Sequence, residues 1–110
     1  MDINDYLPLA PRDLMVLAVI AEGPIHGYGL IKAVETRSNA GVLLDPANLY
    51  RVLRRMKDLG WIRKAEEGGD DRRRTYEITS RGRTLLAAEI ARLERLLGHA
   101  RPAMAEGDAR

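Results

Sequence analysis

A chain of 110 residues with no cysteine and no phenylalanine has room for one small domain, its core built from Leu, Ile, Val and Ala. Disulfides, thiolate catalysis and cysteine-based zinc sites are excluded, and the longest apolar run, 14–21, falls far short of the ~18 to 20 residues that a membrane-spanning helix needs. The net charge of +2 is unevenly spread, because residues 51–83 hold eleven Lys and Arg against six Asp and Glu, a local +5 that leaves −3 elsewhere. Such concentration suits a polyanionic partner, although a solvated charged face is the plainer reading of charge alone.

Residues 1–10 have no sustained period, are punctuated by Pro8, and read as an extended arm. Asp2 and Asp5 stand where a secretion signal would carry basic residues, so the expected location is cytoplasmic. A helix is predicted over 11–22, stopped by Gly23-Pro24. Its centre, 14–21, is apolar all the way round, which implies two covers, one from its own domain and one from a second chain. His26-Gly27-Tyr28-Gly29 reads as a turn into a second helix that ends near residue 37, with Leu30, Ile31 and Val34 inward. Neither His26 nor His99 has a further His, Cys or paired carboxylate at ligand spacing, so no metal site, cofactor or enzyme activity is expected.

Residues 38–41 form a loop, and Val42-Leu43-Leu44 are long enough for one short strand. The segment 45–60 then reads as a capped amphipathic helix: Asp45 at the cap, Pro46 at the first position, Gly60 at the stop. Leu49, Val52, Leu53, Met56 and Leu59 fall within an arc of about 120°, opposite Asn48, Arg51, Arg54, Arg55 and Asp58. Planar guanidinium forks on that outer wall suit guanine edges and phosphates.

Residues 61–66 and 74–79 are two strand-like segments joined by a glycine-bearing tip, a β-hairpin with Tyr76 and Ile78 inward and Thr75 and Glu77 in solvent. Arg72, Arg73 and Arg74 at its far end suit a minor groove or flanking phosphates, unless Asp70 and Asp71 pair with them in solvent. Thr79 or Ser80 can cap a last helix to about residue 99, on which Leu86, Ile90, Leu93 and Leu97 make a coiled-coil-like seam. Residues 101–110 carry no apolar period and are expected to be disordered.

The order helix, helix, short strand, basic helix, hairpin, long helix is that of a winged helix-turn-helix, mainly α with a small β wing, here with an appended C-terminal dimerisation helix. The expected division is an arm at 1–10, a DNA-binding domain at 11–79, a dimerisation helix at 80–100 and a tail at 101–110. The block Glu22-Gly23-Pro24-Ile25-His26-Gly27-Tyr28, then Asn48-Leu49-Tyr50, then Leu59-Gly60-Trp61-Ile62, then Arg73-Arg74-Thr75-Tyr76-Glu77-Ile78-Thr79 with Gly82, resembles the PadR family of bacterial transcriptional regulators. With one C-terminal helix the chain is similar to the short subclass.

The resemblance implies a homodimeric repressor of double-stranded DNA, relieved by a small-molecule effector or a stress signal. Asn48 and Arg51 are the candidates for base edges, Tyr50, Arg54 and Arg55 for sugar-phosphate contacts, and Arg72, Arg73 and Arg74 for the adjacent minor groove. Tyr50, at the border of the two arcs, serves equally well as packing for the hairpin. Leu14, Leu17, Leu86, Ile90, Leu93 and Leu97 are the candidates for the dimer interface. A winged-helix module that binds a protein partner or RNA is the alternative.

Overall fold

The structure, a computed structural model, describes residues 2–65 and 75–108, with side chains through residue 105. A 3-10 turn, Ile3–Tyr6, is followed by α1 (Pro11–Ala21), β1 (Ile25–His26), α2 (Gly27–Arg37), α3 (Pro46–Asp58), β2 (Ile62–Lys64), β3 (Thr75–Ile78) and α4 (Ser80–Asp108). The three strands form an antiparallel sheet in the order β1-β3-β2, with Ile25 opposite Tyr76 and Ile62 opposite Ile78. Helices plus a three-stranded wing are the expected winged helix.

The third strand does not come from 42–44. Ser38 Oγ accepts from the Val42 amide at 2.9 Å and so folds that stretch into a loop, with Leu44 buried and Leu43 exposed. Ile25 and His26 take the vacant sheet edge instead. His26 is also the α2 N-cap, its Nδ1 accepting from the Gly29 amide at 3.2 Å, a structural use of the imidazole.

α3 starts and stops as its sequence predicts. Asp45 Oδ1 accepts from the Asn48 amide, and Pro46 occupies the first turn. At the other end Gly60 has φ 81°, which lets the Trp61 amide reach Met56 O at 2.9 Å and the Gly60 amide reach Lys57 O at 3.0 Å. That crossed pair closes the helix, while buried Met56 and Trp61 seal it against the core. Leu49, Val52 and Leu53 are buried beside them.

α1 finds its covers within the chain. Val16, Leu17, Val19 and Ile20 are buried, Leu14, Met15 and Ala18 are half-buried, and α2, β3 and α4 all pack against the helix. The chain's own elements thus cover much of the apolar circumference and leave Leu14, Met15 and Ala18 partly open.

The first residues are part of the packing rather than an extended arm. Tyr6 meets the Trp61 ring edge-on at 5.4 Å, Leu9 is buried, and the Leu9 amide donates to Glu89 Oε2 at 2.7 Å. Glu89 is fully buried on α4 and also accepts from Arg92 Nε at 2.5 Å. The Arg92 hydrogen bond, helped by the Leu9 amide, holds the Glu89 carboxyl below the usual carboxylate range despite its burial.

Thr79 caps α4, accepting from the Gly82 amide at 3.0 Å. On α4, Gly82, Leu85, Leu86, Glu89, Leu93, Leu96, Leu97 and Met104 share an arc of about 120°. Through Glu89 this stripe is buried in the chain's own core; Leu93 is half-buried, and Leu96, Leu97 and Met104 are exposed. The helix thus runs off the domain with its apolar stripe uncovered. It also continues through Pro102 to Asp108, where disorder was expected after residue 100. The good helix formers Ala100, Ala103, Met104 and Ala105 carry it past the one hydrogen bond that proline removes.

Candidate nucleic-acid interface

The outer wall of α3 exposes Tyr50, Arg51, Arg54, Arg55, Lys57 and Asp58, with Asn48 half-buried at its entering end. Helical geometry sorts these residues into a crest and two flanks. Arg51, Arg54 and Asp58 lie farthest from the buried face. On one flank, a groove of about 410 Å³ between α3 and β3 is lined by Tyr50, Leu53, Arg54, Lys57, Asp58 and Tyr76. On the other, a groove of about 270 Å³ between α3 and α1 is lined by Arg12, Asp13, Asn48, Arg51, Val52 and Arg55.

The guanidinium groups are not equivalent. Arg55 Nη1 lies 3.4 Å from Asp13 Oδ2, and its guanidinium carbon stands 5.5 Å from the Trp61 ring centroid. Asp13 is itself buried and has Arg12 Nε at 3.7 Å from Oδ1. Arg55 is therefore drawn back toward α1, which limits its reach. Arg51 instead donates to Asn48 Oδ1 at 2.7 Å. Tyr50 is 60 % exposed at the mouth of the larger groove, so its ring is available to a ligand even though Tyr76 lines the same groove.

Candidates named from the sequence are only partly brought together. Asn48, Tyr50, Arg51, Arg54 and Arg55 share one surface; Arg72, Arg73 and Arg74 lie outside the described residues. Among the apolar candidates, Leu17 and Leu86 are spent on the chain's own core, Leu14 and Leu93 are half-buried, and Ile90 and Leu97 are exposed.

Sequence reading missed Lys57, Arg12 and Asp13. Lys57 sits seven residues after Tyr50, hence on the same helical stripe, and could have been found by that spacing. Arg12 and Asp13 reach α3 only through tertiary packing. Tyr28, 64 % exposed at the start of α2 with Lys32 Nζ 5.8 Å from its ring centroid, extends the polar surface toward α2. Among the described residues no group of three or more His, Cys, Asp or Glu could hold a metal ion, and no helix is long and apolar enough to cross a membrane.

Comparison with known proteins agrees with this geometry. A transcriptional regulator from Clostridium thermocellum superposes with a TM-score of 0.67 at 23% identity, over 91% of this chain and 94% of that one. A PadR family transcription regulator from Clostridium difficile R20291 gives a TM-score of 0.70 at 16% identity, over 86% of this chain and 99% of that one. At these identities the likeness is one of fold. An uncharacterized 37.1 kDa protein in transposon TN4556 of Streptomyces fradiae is 39% identical over 85 residues, 77% of this chain and 24% of its own length, so the chain spans about a quarter of that relative. The family model for the transcriptional regulator PadR-like family matches residues 16–88, which carry α3, the larger groove and the wing strands, and the chain belongs to that family of DNA-binding regulators.

Proposed function

We propose that the protein is a cytoplasmic homodimeric repressor that binds a roughly palindromic operator in duplex DNA and is released by a small-molecule or stress signal. The observation that carries the reading is the outer wall of α3, where Arg51 and Arg54 crest between two grooves with Lys57 beside them. An α-helix of this kind fits the major groove, with Asn48 and Arg51 toward base edges and Tyr50, Arg54 and Arg55 toward sugar and phosphate. Arg72, Arg73 and Arg74 would hold the adjacent minor groove.

The overhang of α4 supports the dimer. Leu96, Leu97 and Met104 continue a buried stripe into solvent, an exposure that a second copy would remove. Two copies joined there and along Ile90, Leu93 and Leu14 would present two α3 helices to successive major grooves, about 34 Å apart.

Arg54→Ala is expected to weaken binding to all duplexes alike and to lower the salt slope by about one unit, while Arg51→Ala also relaxes sequence preference. Equal losses with unchanged preference would remove Arg51 from base reading. A titration indifferent to salt would point to a protein partner instead, and tighter binding of RNA than of duplex DNA to the remaining alternative. Leu93→Glu should set like charges against each other in the seam and yield monomers by analytical ultracentrifugation. A dimer that persists would take the α4 overhang out of the interface.

A further inference from the structure

The entering end of α3 carries a hydrogen-bonded chain that a charge count does not reveal. Asp45 Oδ1 accepts from the Asn48 backbone amide at 2.8 Å, and Asp45 Oδ2 accepts from the Asn48 side-chain amide at 2.8 Å. Asn48 Oδ1 accepts in turn from Arg51 Nη2 at 2.7 Å. These residues stand three apart, on one edge of the helix. The first bond is an ordinary cap, which serine supplies as well as aspartate does. The second needs another acceptor on the capping side chain, and a serine in the same place is too short to provide it.

That second bond decides which way the Asn48 amide points. Its two ends are alike in size and opposite in hydrogen-bonding sense, and the acceptor-only carboxylate selects the NH2 end. The carbonyl end is then left facing Arg51, where it takes one of five guanidinium N–H donors and singles out one arrangement of a long exposed side chain. The other guanidinium donors and the second hydrogen of the Asn48 amide have no partner among the described residues. Such donors match the N7 and O6 acceptors of guanine in the major groove. A guanidinium free to swing would serve any nearby phosphate equally well.

We propose that Asp45 is a specificity-determining positioning residue. Acting through Asn48, it holds Arg51 for base reading, and its own negative charge at the lip of a basic surface opposes indiscriminate attachment to phosphates. The proposal rests on α3 being the DNA-reading helix. Charge counting alone predicts only that loss of Asp45 tightens binding; the hydrogen-bonded chain predicts that discrimination falls.

The test starts by selecting bound sites from random duplexes with the purified full chain. Affinities for the preferred duplex and for one with its guanine replaced are then compared for wild type, Asp45→Ser, Asn48→Ala and the double variant. Asp45→Ser should lower the affinity ratio about tenfold, the scale of one base contact, with little change in melting temperature because serine also caps. Asn48→Ala should lower it at least as much, because it also removes a side chain assigned to base edges, and adding Asp45→Ser to it should lower it no further, because Asp45 acts only through Asn48. Losses that add, or an Asp45→Ser protein that keeps the wild-type ratio, would overturn the proposal. If wild type itself selects no sequence, the reading of α3 fails and takes the proposal with it. If wild type and Asp45→Ser select equally, only the role of Asp45 fails.

Discussion

Gly82→Ala is expected to destabilise the fold by about 3 kcal/mol or more, the upper range for overpacking a close-packed site. A Cβ built there would meet Trp61 O at 2.1 Å, Trp61 C at 3.0 Å and Ile78 Cγ1 at 2.9 Å. Two of these three are backbone atoms, which no rotamer change can move aside. The Trp61 carbonyl is moreover engaged, accepting from the Thr79 amide and the Thr79 hydroxyl at 3.0 Å each. Relief would thus break the joint between the base of the wing and the first turn of α4. With about 4 to 8 °C of melting temperature per kcal/mol in a domain of this size, the loss should be plain in a thermal scan. Gly98→Ala is the internal contrast: among the described residues nothing beyond its own helical backbone and chain neighbours lies within 4 Å of its added Cβ, so it should melt at or slightly above wild type. An alanine at 82 that melts like wild type would mean that the wing and α4 are not in the contact described.

Trp61→Ala carries the second large effect. The side chain is buried, with the Tyr6 ring nearly perpendicular to it and the Arg55 guanidinium over its ring. Truncation to alanine in such a site costs about 3 to 5 kcal/mol, a large share of the ~5 to 15 kcal/mol that holds a small domain together. The damage is not confined to stability, because Arg55 loses the surface on which it rests. Trp61→Phe keeps a ring and should recover more than half of the lost stability in urea unfolding. A Trp61→Ala protein within about 1 kcal/mol of wild type would contradict the packing described for the start of the chain.

The parts that were legible from the sequence obey local rules. Asp45, Pro46, Gly60 and the spacing of Leu49, Val52, Leu53 and Met56 specify α3 almost without tertiary help, and the structure keeps every one of those assignments. What the sequence concealed depends on packing between distant segments. A strand of two residues, Ile25–His26, has no period to detect and exists because β3 offers an edge. The Leu9 amide and Glu89 are 80 residues apart, and nothing local marks either as a partner for the other. The α4 stripe shows the same divide: its apolar spacing was plain, yet spacing says only that a face is covered, not by what. Leu86 therefore belongs to the domain core, while Leu97 on the same stripe does not. At the interface, the exposed arginines were visible from the sequence, whereas the pull of Asp13 on Arg55 comes from a helix 42 residues away.

The cluster around position 61 has an optical consequence. Trp61 is the chain's one tryptophan, so all of its indole emission arises from a single buried site. That site touches the first residues through Tyr6 and the outer wall of α3 through Arg55. A cation held over an indole alters its emission, and a phosphate that draws Arg55 outward would change that cation's distance from the ring. The protein thereby carries an unlabelled reporter between its N-terminal segment and its basic helix, readable in solution without altering any residue of the surface it monitors.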